Sequence, residues 1–316
     1  MLDRVVSYVW FAAQALTVCL VVLLALVSRS YAESEDLSVA QNNKSLVSNV
    51  GSRPSLTTDT QQRTTLRLPV PDPNAPAKPT LETVLHVANE SYDQVREEIT
   101  DYTCVLVRRE RVDGRLGPHE FAYAKVRNRR VHNGEIITPF SIYLKFLKPK
   151  DVAGREVLYV EGANDNEMLV RRGGIRMSFV TTKINPLGEL AMTGNHHPIT
   201  EFGLENLLHR LIDSAKHDQA SACDVQLLPE AKIDGRPTTG IVVTHQSQQV
   251  SPEYYQARIF LDKELRVPVH YESYDWPSKA NGKPELAEQY TYTNLVLNPG
   301  LTDEDFSPDN PEYKVK

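Results

Sequence analysis

The sequence of 316 residues has only three cysteines, which are too few for a disulfide scaffold. It also lacks an excess of basic residues, because 35 Lys and Arg stand against 41 Asp and Glu for a formal net charge of −6. That acidity argues against a nucleic-acid-binding protein, whose surface is usually basic. With 41% hydrophobic and 24% charged residues, the composition excludes a disordered chain, a collagen-like fibre and a multi-span membrane protein.

The sequence also lacks the signatures of common catalytic sites. The G-x-S-x-G nucleophile elbow, the H-E-x-x-H zinc motif, the P-loop and the G-x-G-x-x-G fingerprint are absent. His196 and His197, with Glu201, are the first candidates for a metal site, but adjacent side chains diverge and zinc ligands usually come as two spaced pairs. We therefore predict no metal, no cofactor and no catalytic residue, and we keep a hydrolase with a dispersed site only as a third hypothesis.

One uncharged apolar stretch, residues 5–27, runs from Val5 to Val27. It is long enough to cross a bilayer, which takes roughly 20 residues in a helix. Ser30 and Ala32 supply the small residues of a cleavage site, so residues 1–32 are either a retained signal anchor or a cleaved signal peptide. Both alternatives export the rest of the chain. We expect a periplasmic or cell-envelope protein, anchored in the inner membrane if the segment is retained.

Residues 33–79 contain no Phe, Trp or Tyr and are rich in Ser, Thr, Gln and Asn. Such a segment buries too little apolar surface to offset the entropy of ordering it. It ends in five prolines, which favour a stiff, extended chain: Pro69, Pro71, Pro73, Pro76 and Pro79. We interpret the segment as a disordered linker that holds a folded domain of residues 80–316 away from the membrane.

Two segments of that domain have the period of amphipathic helices. The first runs from Leu81 to Ile99, with Thr80 as a predicted N-cap, and the second follows Pro198. The rest alternates like β-strands, with hairpin turns predicted at Asp113-Gly114 and Asp234-Gly235. The predicted strands are 102–112, 119–127, 141–147, 156–161, 168–172, 176–182, 224–228, 240–245, 257–261, 267–274 and 286–297. This pattern predicts an α+β fold with a large, strongly curved antiparallel sheet and both helices on its concave face.

Cys104 and Cys223 are the two cysteines of the predicted domain. In an oxidising compartment they could form a disulfide that links the first strand to the second half of the domain. They could equally be small buried residues on separate strands. The sequence leaves both alternatives open.

Several short motifs are spread over the predicted domain. They are Tyr102-Thr103-Cys104, Gly154-Arg155-Glu156-Val157, His197-Pro198-Ile199-Thr200, Tyr274-Asp275-Trp276-Pro277 and Glu288-Gln289-Tyr290-Thr291-Tyr292. These motifs resemble an uncharacterised bacterial family, domain-of-unknown-function family 1571. The resemblance covers most of residues 80–316 and implies no established activity or catalytic residue.

A fainter resemblance is carried by the run from Pro139 to Phe146 and by the ending with Asn298, Leu301 and Phe306. These segments are similar to the LolA/LolB-like lipoprotein carriers and their RseB-type relatives. The resemblance implies an unclosed barrel whose helices plug the concave side, with an apolar cavity between helices and sheet.

From these features we expect a non-enzymatic cell-envelope protein that binds a lipid acyl chain or a lipidated peptide in an apolar cavity. The alternative is a membrane-tethered sensor or scaffold of RseB type that binds another envelope protein. A filled core without a cavity is equally compatible with the sequence, since protein interiors are close-packed. The predicted inner-face ligand contacts are Ile142, Leu144, Phe146, Leu158, Val160, Ile259, Leu261 and Val269.

Overall fold

The computed structural model describes residues 79–173, 180–217, 222–249, 251–279 and 282–316. The predicted signal segment 1–32, the predicted linker up to residue 78, and residues 176–179 of one predicted strand lie outside this part. Within the described residues, no helix combines the length and the apolar character that crossing a membrane requires.

Three α-helices lie in the described part. Helix α1 is Leu81–Glu98, α2 is the single turn Glu189–Met192, and α3 is Leu204–His217. The predicted N-cap of α1 is confirmed, because the Thr80 side chain accepts a hydrogen bond from the Thr83 amide at 3.3 Å.

Fourteen strands are present in the described residues, and every strand pair is antiparallel. They are β1 Asp101–Val112, β2 Arg115–Leu116, β3 Glu120–Arg127, β4 Arg130–His132, β5 Glu135–Thr138, β6 Ser141–Lys148, β7 Glu156–Val160, β8 Met168–Arg171, β9 Thr181–Ile184, β10 Cys223–Ile233, β11 Arg236–His245, β12 Gln256–Asp262, β13 Pro268–Asp275 and β14 Glu285–Leu297.

Twelve strands form one sheet in the order β10-β11-β12-β13-β14-β1-β3-β6-β7-β8-β9, with β2 paired to β1. Strands β10 and β9 are its two edges and do not pair with each other, so the sheet is an unclosed barrel, as predicted. The predicted hairpin turns are confirmed by positive φ angles at Asp113 and Gly114 and at Asp234 and Gly235. The β4–β5 hairpin, which turns at Asn133 and Gly134, was not predicted from the sequence.

One face of the sheet packs against both long helices. Val95 of α1 and Leu204 and Leu208 of α3 are fully buried in a core cluster that also contains the inward side chains of β1, β3 and β6. These inward side chains are Tyr102, Cys104, Leu106, Ala122, Ala124, Val126, Ile142, Leu144 and Phe146. The two predicted amphipathic helices therefore lie on the same face of the sheet and cover its centre.

The other face of the sheet is covered by the C-terminal segment. Tyr143 and Leu158 pack there against Phe306 and Tyr313, and the rings of Tyr143 and Tyr313 stack at 3.7 Å between centroids. The buried Glu156 carboxylate accepts hydrogen bonds from the Lys314 and Val315 amides at 2.6 and 2.9 Å. The end of the chain is thus fastened to β7 on the side away from the helices.

This second face corrects the prediction that Leu158 and Val160 share the inner face with Leu144. Directly opposite residues of an antiparallel pair point to the same side, and Leu158 lies opposite Tyr143 rather than beside Leu144. Leu158 and Val160 therefore pack under the C-terminal segment. The sequence Glu-Val-Leu-Tyr-Val of β7 has apolar residues on both faces, so its pattern did not reveal which side chains face the helices.

Cys104 and Cys223 are not joined to each other in the structure. Cys104 lies in the middle of β1 in the main core, whereas Cys223 begins the edge strand β10. Four strands separate β1 from β10 in the sheet.

Candidate ligand-binding cavity

A cavity of about 530 Å³ lies between the inner face of the sheet and the segment from β9 to α3. This volume falls in the range of roughly 300–1,000 Å³ that is typical of small-molecule sites. Its apolar wall comes from strands β1, β3, β6, β7, β8 and β9, from residues 185–203 between β9 and α3, which we call the covering segment, and from the first turns of α3. The apolar side chains are Leu106, Ala122, Leu144, Phe146, Val157, Met168, Val170, Ile184, Leu190, Ala191, Ile199, Phe202 and Leu207.

A second cavity, of about 50 Å³, lies between α1, α3 and strands β11 and β12. It has room for about one or two water molecules, each of which takes about 30 Å³ in the liquid. Its walls are almost entirely aliphatic, so we regard it as a packing gap of the core rather than a binding site.

The structure divides the predicted ligand contacts among four places. Leu144 and Phe146 line the large cavity, and Ile259 and Leu261 line the small one. Ile142 and Val269 are buried in the core, and Leu158 and Val160 lie on the opposite face. The eight residues therefore do not form one site.

Several cavity residues were missed by sequence reasoning. Leu106 was identifiable in principle, because Tyr102, Cys104 and Leu106 alternate along β1. Phe202 and Ile199 carried no such signal, because they lie in an irregular segment before α3 whose path over the sheet is set by tertiary contacts.

Charged residues line one part of the cavity. The Arg108 guanidinium is bonded to Glu120 at 2.7 Å and to the Asn195 side-chain oxygen at 2.7 Å. Arg155 also lies near Phe146, with its guanidinium carbon 5.3 Å from the ring centroid. Burial and the nearby Arg108 and Arg172 lower the pKa of Arg155.

A histidine–carboxylate network, formed by Glu110, His196, His197, Glu288 and Tyr290, closes the neighbouring part of the cavity. One oxygen of Glu288 accepts hydrogen bonds from His196 at 3.1 Å and His197 at 2.9 Å, and it lies 3.1 Å from the Tyr290 hydroxyl. Glu110 accepts from the His196 amide at 2.9 Å and from the Tyr290 hydroxyl at 2.7 Å. The network therefore ties the segment before α3 to β1 and β14.

The histidine–carboxylate network stabilises the protonated form of His196 and the ionised form of Glu288. The hydrogen bond to Glu288 raises the pKa of His196 to about 9, and the second ring nitrogen of His196 donates to the Arg111 carbonyl at 2.9 Å. Burial acts to raise the pKa of Glu288, but the hydrogen bonds from His196 and His197 outweigh it and hold that pKa well below its usual range. His196 is therefore a doubly protonated donor between two acceptors.

The groups of the histidine–carboxylate network hydrogen-bond to one another. The carboxylates of Glu110 and Glu288 accept from donors that lie on the covering segment and on β14. Among the described residues, no group of three or more His, Cys, Asp or Glu side chains is arranged to hold a metal ion. The arrangement holds the covering segment against the sheet and thereby keeps the cavity enclosed at this end.

A family model described as "Protein of unknown function (DUF1571)" matches residues 99–315. The chain belongs to this family. The match spans the sheet, the covering segment and the C-terminal residues fastened to β7, so the cavity lies wholly within the DUF1571 region. No curated protein matches the chain in sequence.

Remote similarities to solved structures exist. The crystal structure of MucB is 16% identical, with a TM-score of 0.40 over 71% of this chain and 62% of MucB; the chain thus spans less than two thirds of MucB. A putative outer membrane lipoprotein-sorting protein domain from Vibrio parahaemolyticus is 14% identical, with a TM-score of 0.34 over 72% of this chain and 97% of that chain. A LolA superfamily protein from Nitrosomonas europaea is 12% identical, with a TM-score of 0.28 over the same shares.

Proposed function

We propose that this DUF1571 protein is a non-enzymatic cell-envelope protein that binds a lipid acyl chain or the acyl group of a lipidated peptide. The observation that carries the proposal is the cavity of about 530 Å³ with an apolar wall built from both sheet and covering segment. Burying each methylene group of a chain there contributes about 0.8 kcal/mol. A chain of ordinary length therefore gains enough free energy to offset the cost of association.

The covering segment supplies an entrance to the cavity. Leu190 of α2 lines the cavity and is nevertheless 63% exposed, and the preceding Leu187 is 67% exposed. Two exposed leucines at the edge of an apolar cavity are typical of a surface that meets an apolar ligand. A chain entering here passes between α2 and the edge of the sheet formed by β8 and β9.

The proposed envelope location rests on the sequence of the N-terminal region. If residues 5–27 are retained in the membrane, the linker of residues 33–79 tethers the exported domain there. The domain then reaches ligands near the membrane while it stays attached to the membrane. Retention favours a tethered binding protein over a freely diffusing carrier.

The binding proposal is tested by filling the cavity. Replacing Leu106 with Trp places a large ring in the cavity wall. We therefore expect half-maximal binding of a fluorescent fatty acid to require at least a tenfold higher concentration of the variant than of the wild type. The matched control is Val107→Trp, because Val107 is the next residue of β1 and does not line the cavity. Binding is measured by fluorescence titration, and native mass spectrometry of gently purified full-length protein identifies any bound lipid.

Two results would contradict the proposal. The first is that wild-type protein carries no lipid and binds no fluorescent fatty acid. The second is that L106W binds as well as V107W while circular dichroism shows both variants to be folded.

The second candidate function is binding of another envelope protein. It is favoured by the β4–β5 hairpin, which lies outside the main sheet and exposes Val131 and Ile136 by 50% and 46%. These two residues are cross-strand partners, so their side chains share one face of the hairpin. Native mass spectrometry distinguishes the candidates, because a protein partner adds a mass far larger than that of a lipid.

A further inference from the structure

The cavity combines its apolar wall with several arginines, and one of them, Arg155, has no acidic partner among the described residues. Arg108 is neutralised by Glu120, which lies 2.7 Å away, and by Glu110 at 3.4 Å. Among the described residues, the Arg155 guanidinium has no carboxylate within ion-pair distance. It lines the same cavity and faces the ring of Phe146. Arg155 is thus a cation in the cavity wall whose guanidinium donors bind no acceptor among the described residues.

The charge around Arg155 is positive on balance. The charged groups that act on it are Glu120, Arg108 and Arg172, and Glu120 is already shared with Arg108. Arg172 is exposed and also lines the cavity, as does the exposed Asp151. An anion placed at Arg155 therefore meets a site with an excess of arginine side chains.

Arg210 of α3 provides an independent sign of a missing acceptor. It lines the same cavity, and its Nε and Nη1 atoms are buried without a hydrogen-bond partner. Buried polar atoms are normally hydrogen-bonded, so two orphaned donors in a cavity wall indicate that an acceptor from outside the protein completes them.

We propose that the ligand is an anionic amphiphile whose acid group binds Arg155 while its chain occupies the apolar part of the cavity. This inference rests on the proposed function and specifies its ligand class. A planar guanidinium matches the two oxygens of a carboxylate or the oxygens of a phosphate, and such charge-assisted bonds are about twice as strong as neutral ones. The position of Arg155 beside Phe146 places the charged group next to the first methylenes of the chain.

The test compares oleate with oleyl alcohol, which share one chain and differ in charge. Both displace a fluorescent probe from full-length protein at about pH 8, where the carboxylic acid is ionised. We expect the wild type to prefer oleate by at least tenfold, and R155Q to lose this preference while it still binds the alcohol. R155K is expected to keep part of the preference, because it retains the charge without the planar fork. R109Q is the control, since Arg109 bonds the Gly117 carbonyl and does not line the cavity.

Four outcomes would decide the matter. Loss of preference in R155Q but not in R109Q supports the inference. Equal binding of oleate and oleyl alcohol by the wild type overturns it while leaving chain binding intact. Loss of the preference in R210Q with retention in R155Q overturns the assignment to Arg155. Failure of both ligands to bind the folded wild type overturns the proposed function itself.

Discussion

At the scale of single residues, Glu288 is the carboxylate that accepts hydrogen bonds from both histidine rings of the histidine–carboxylate network. It is only 7% exposed, and the two histidines are His196 and His197. The carboxylate is stable there because protonated histidine compensates for lost hydration. Removing its charge leaves the protonated His196 with neutral acceptors, one of which is the Arg111 carbonyl.

We therefore expect Glu288→Gln to lower the free energy of unfolding by about 2 kcal/mol, since hydrogen bonds to charged groups contribute about 1.5–3 kcal/mol. His196 binds its proton more tightly when folded, so its contribution is complete below about pH 6.5 and is lost as the pH rises through about 9. Glu288 has a lowered pKa, so its contribution is present above its ordinary pKa of about 4.3. The difference between wild type and E288Q should be largest between about pH 5 and 6.5 and narrow towards pH 9.

Urea unfolding at several pH values measures this difference. Glu285→Gln is the control, because Glu285 lies on the same strand and pairs with Arg111 at 3.3 Å while 37% of its side chain is exposed. Such a pair contributes about 1 kcal/mol or less. A difference between wild type and E288Q that stays constant from pH 6 to pH 9 would show that the network does not titrate as described.

At the scale of elements, local sequence signals predicted what local physics determines. The capping residue of α1, the Asp-Gly turns and most strands follow from spacing and turn chemistry, and the structure confirms them. The sheet face on which Leu158 and Val160 of β7 lie was predicted wrongly. A strand with two apolar faces shows no polar–apolar alternation, and its register is set by pairing with β6. The histidine–carboxylate network was also missed, since its members are up to about 180 residues apart in sequence.

The attachment of the C-terminal segment to β7 is a prediction at the same scale. Glu156→Ala removes the acceptor of the Lys314 and Val315 amides, so we expect a loss of about 2–3 kcal/mol and faster hydrogen exchange in residues 303–316. Exchange in α1 and α3 should change less, because they lie on the other face. Glu161→Ala is the matched control, as Glu161 pairs with the half-exposed Arg129 just beyond β7. Equal exchange of residues 303–316 in both variants would contradict the attachment.

At the scale of the whole molecule, the sheet has one face for the ligand and one for the C-terminal segment. The large cavity lies towards the β9 edge and is lined in part by Leu207 and Arg210 of α3, whereas the small cavity lies under α1 and α3 towards β11 and β12. We expect the large cavity to open by movement of the covering segment, residues 185–203, because α3 and β1 are held in the central core. Such an opening would admit a ligand while the fold around β1 stays intact.

Chemical modification of Cys104 tests whether the central core stays closed when the cavity opens. It is 1% exposed in the middle of β1, and burial raises the pKa of its thiol to about 12. Because the thiolate is the reactive form, we expect iodoacetamide to modify Cys104 only when the whole domain unfolds. The rate of Cys104 labelling, followed by peptide mass mapping, gives the free energy of the opening that exposes the thiol. We expect this value to equal the free energy of global unfolding measured in urea. A bound ligand at about 100 times its dissociation constant should raise both values by about 2.7 kcal/mol. Labelling of Cys104 that is faster than global unfolding and that ligand slows would show that the core opens together with the cavity, which would contradict the prediction.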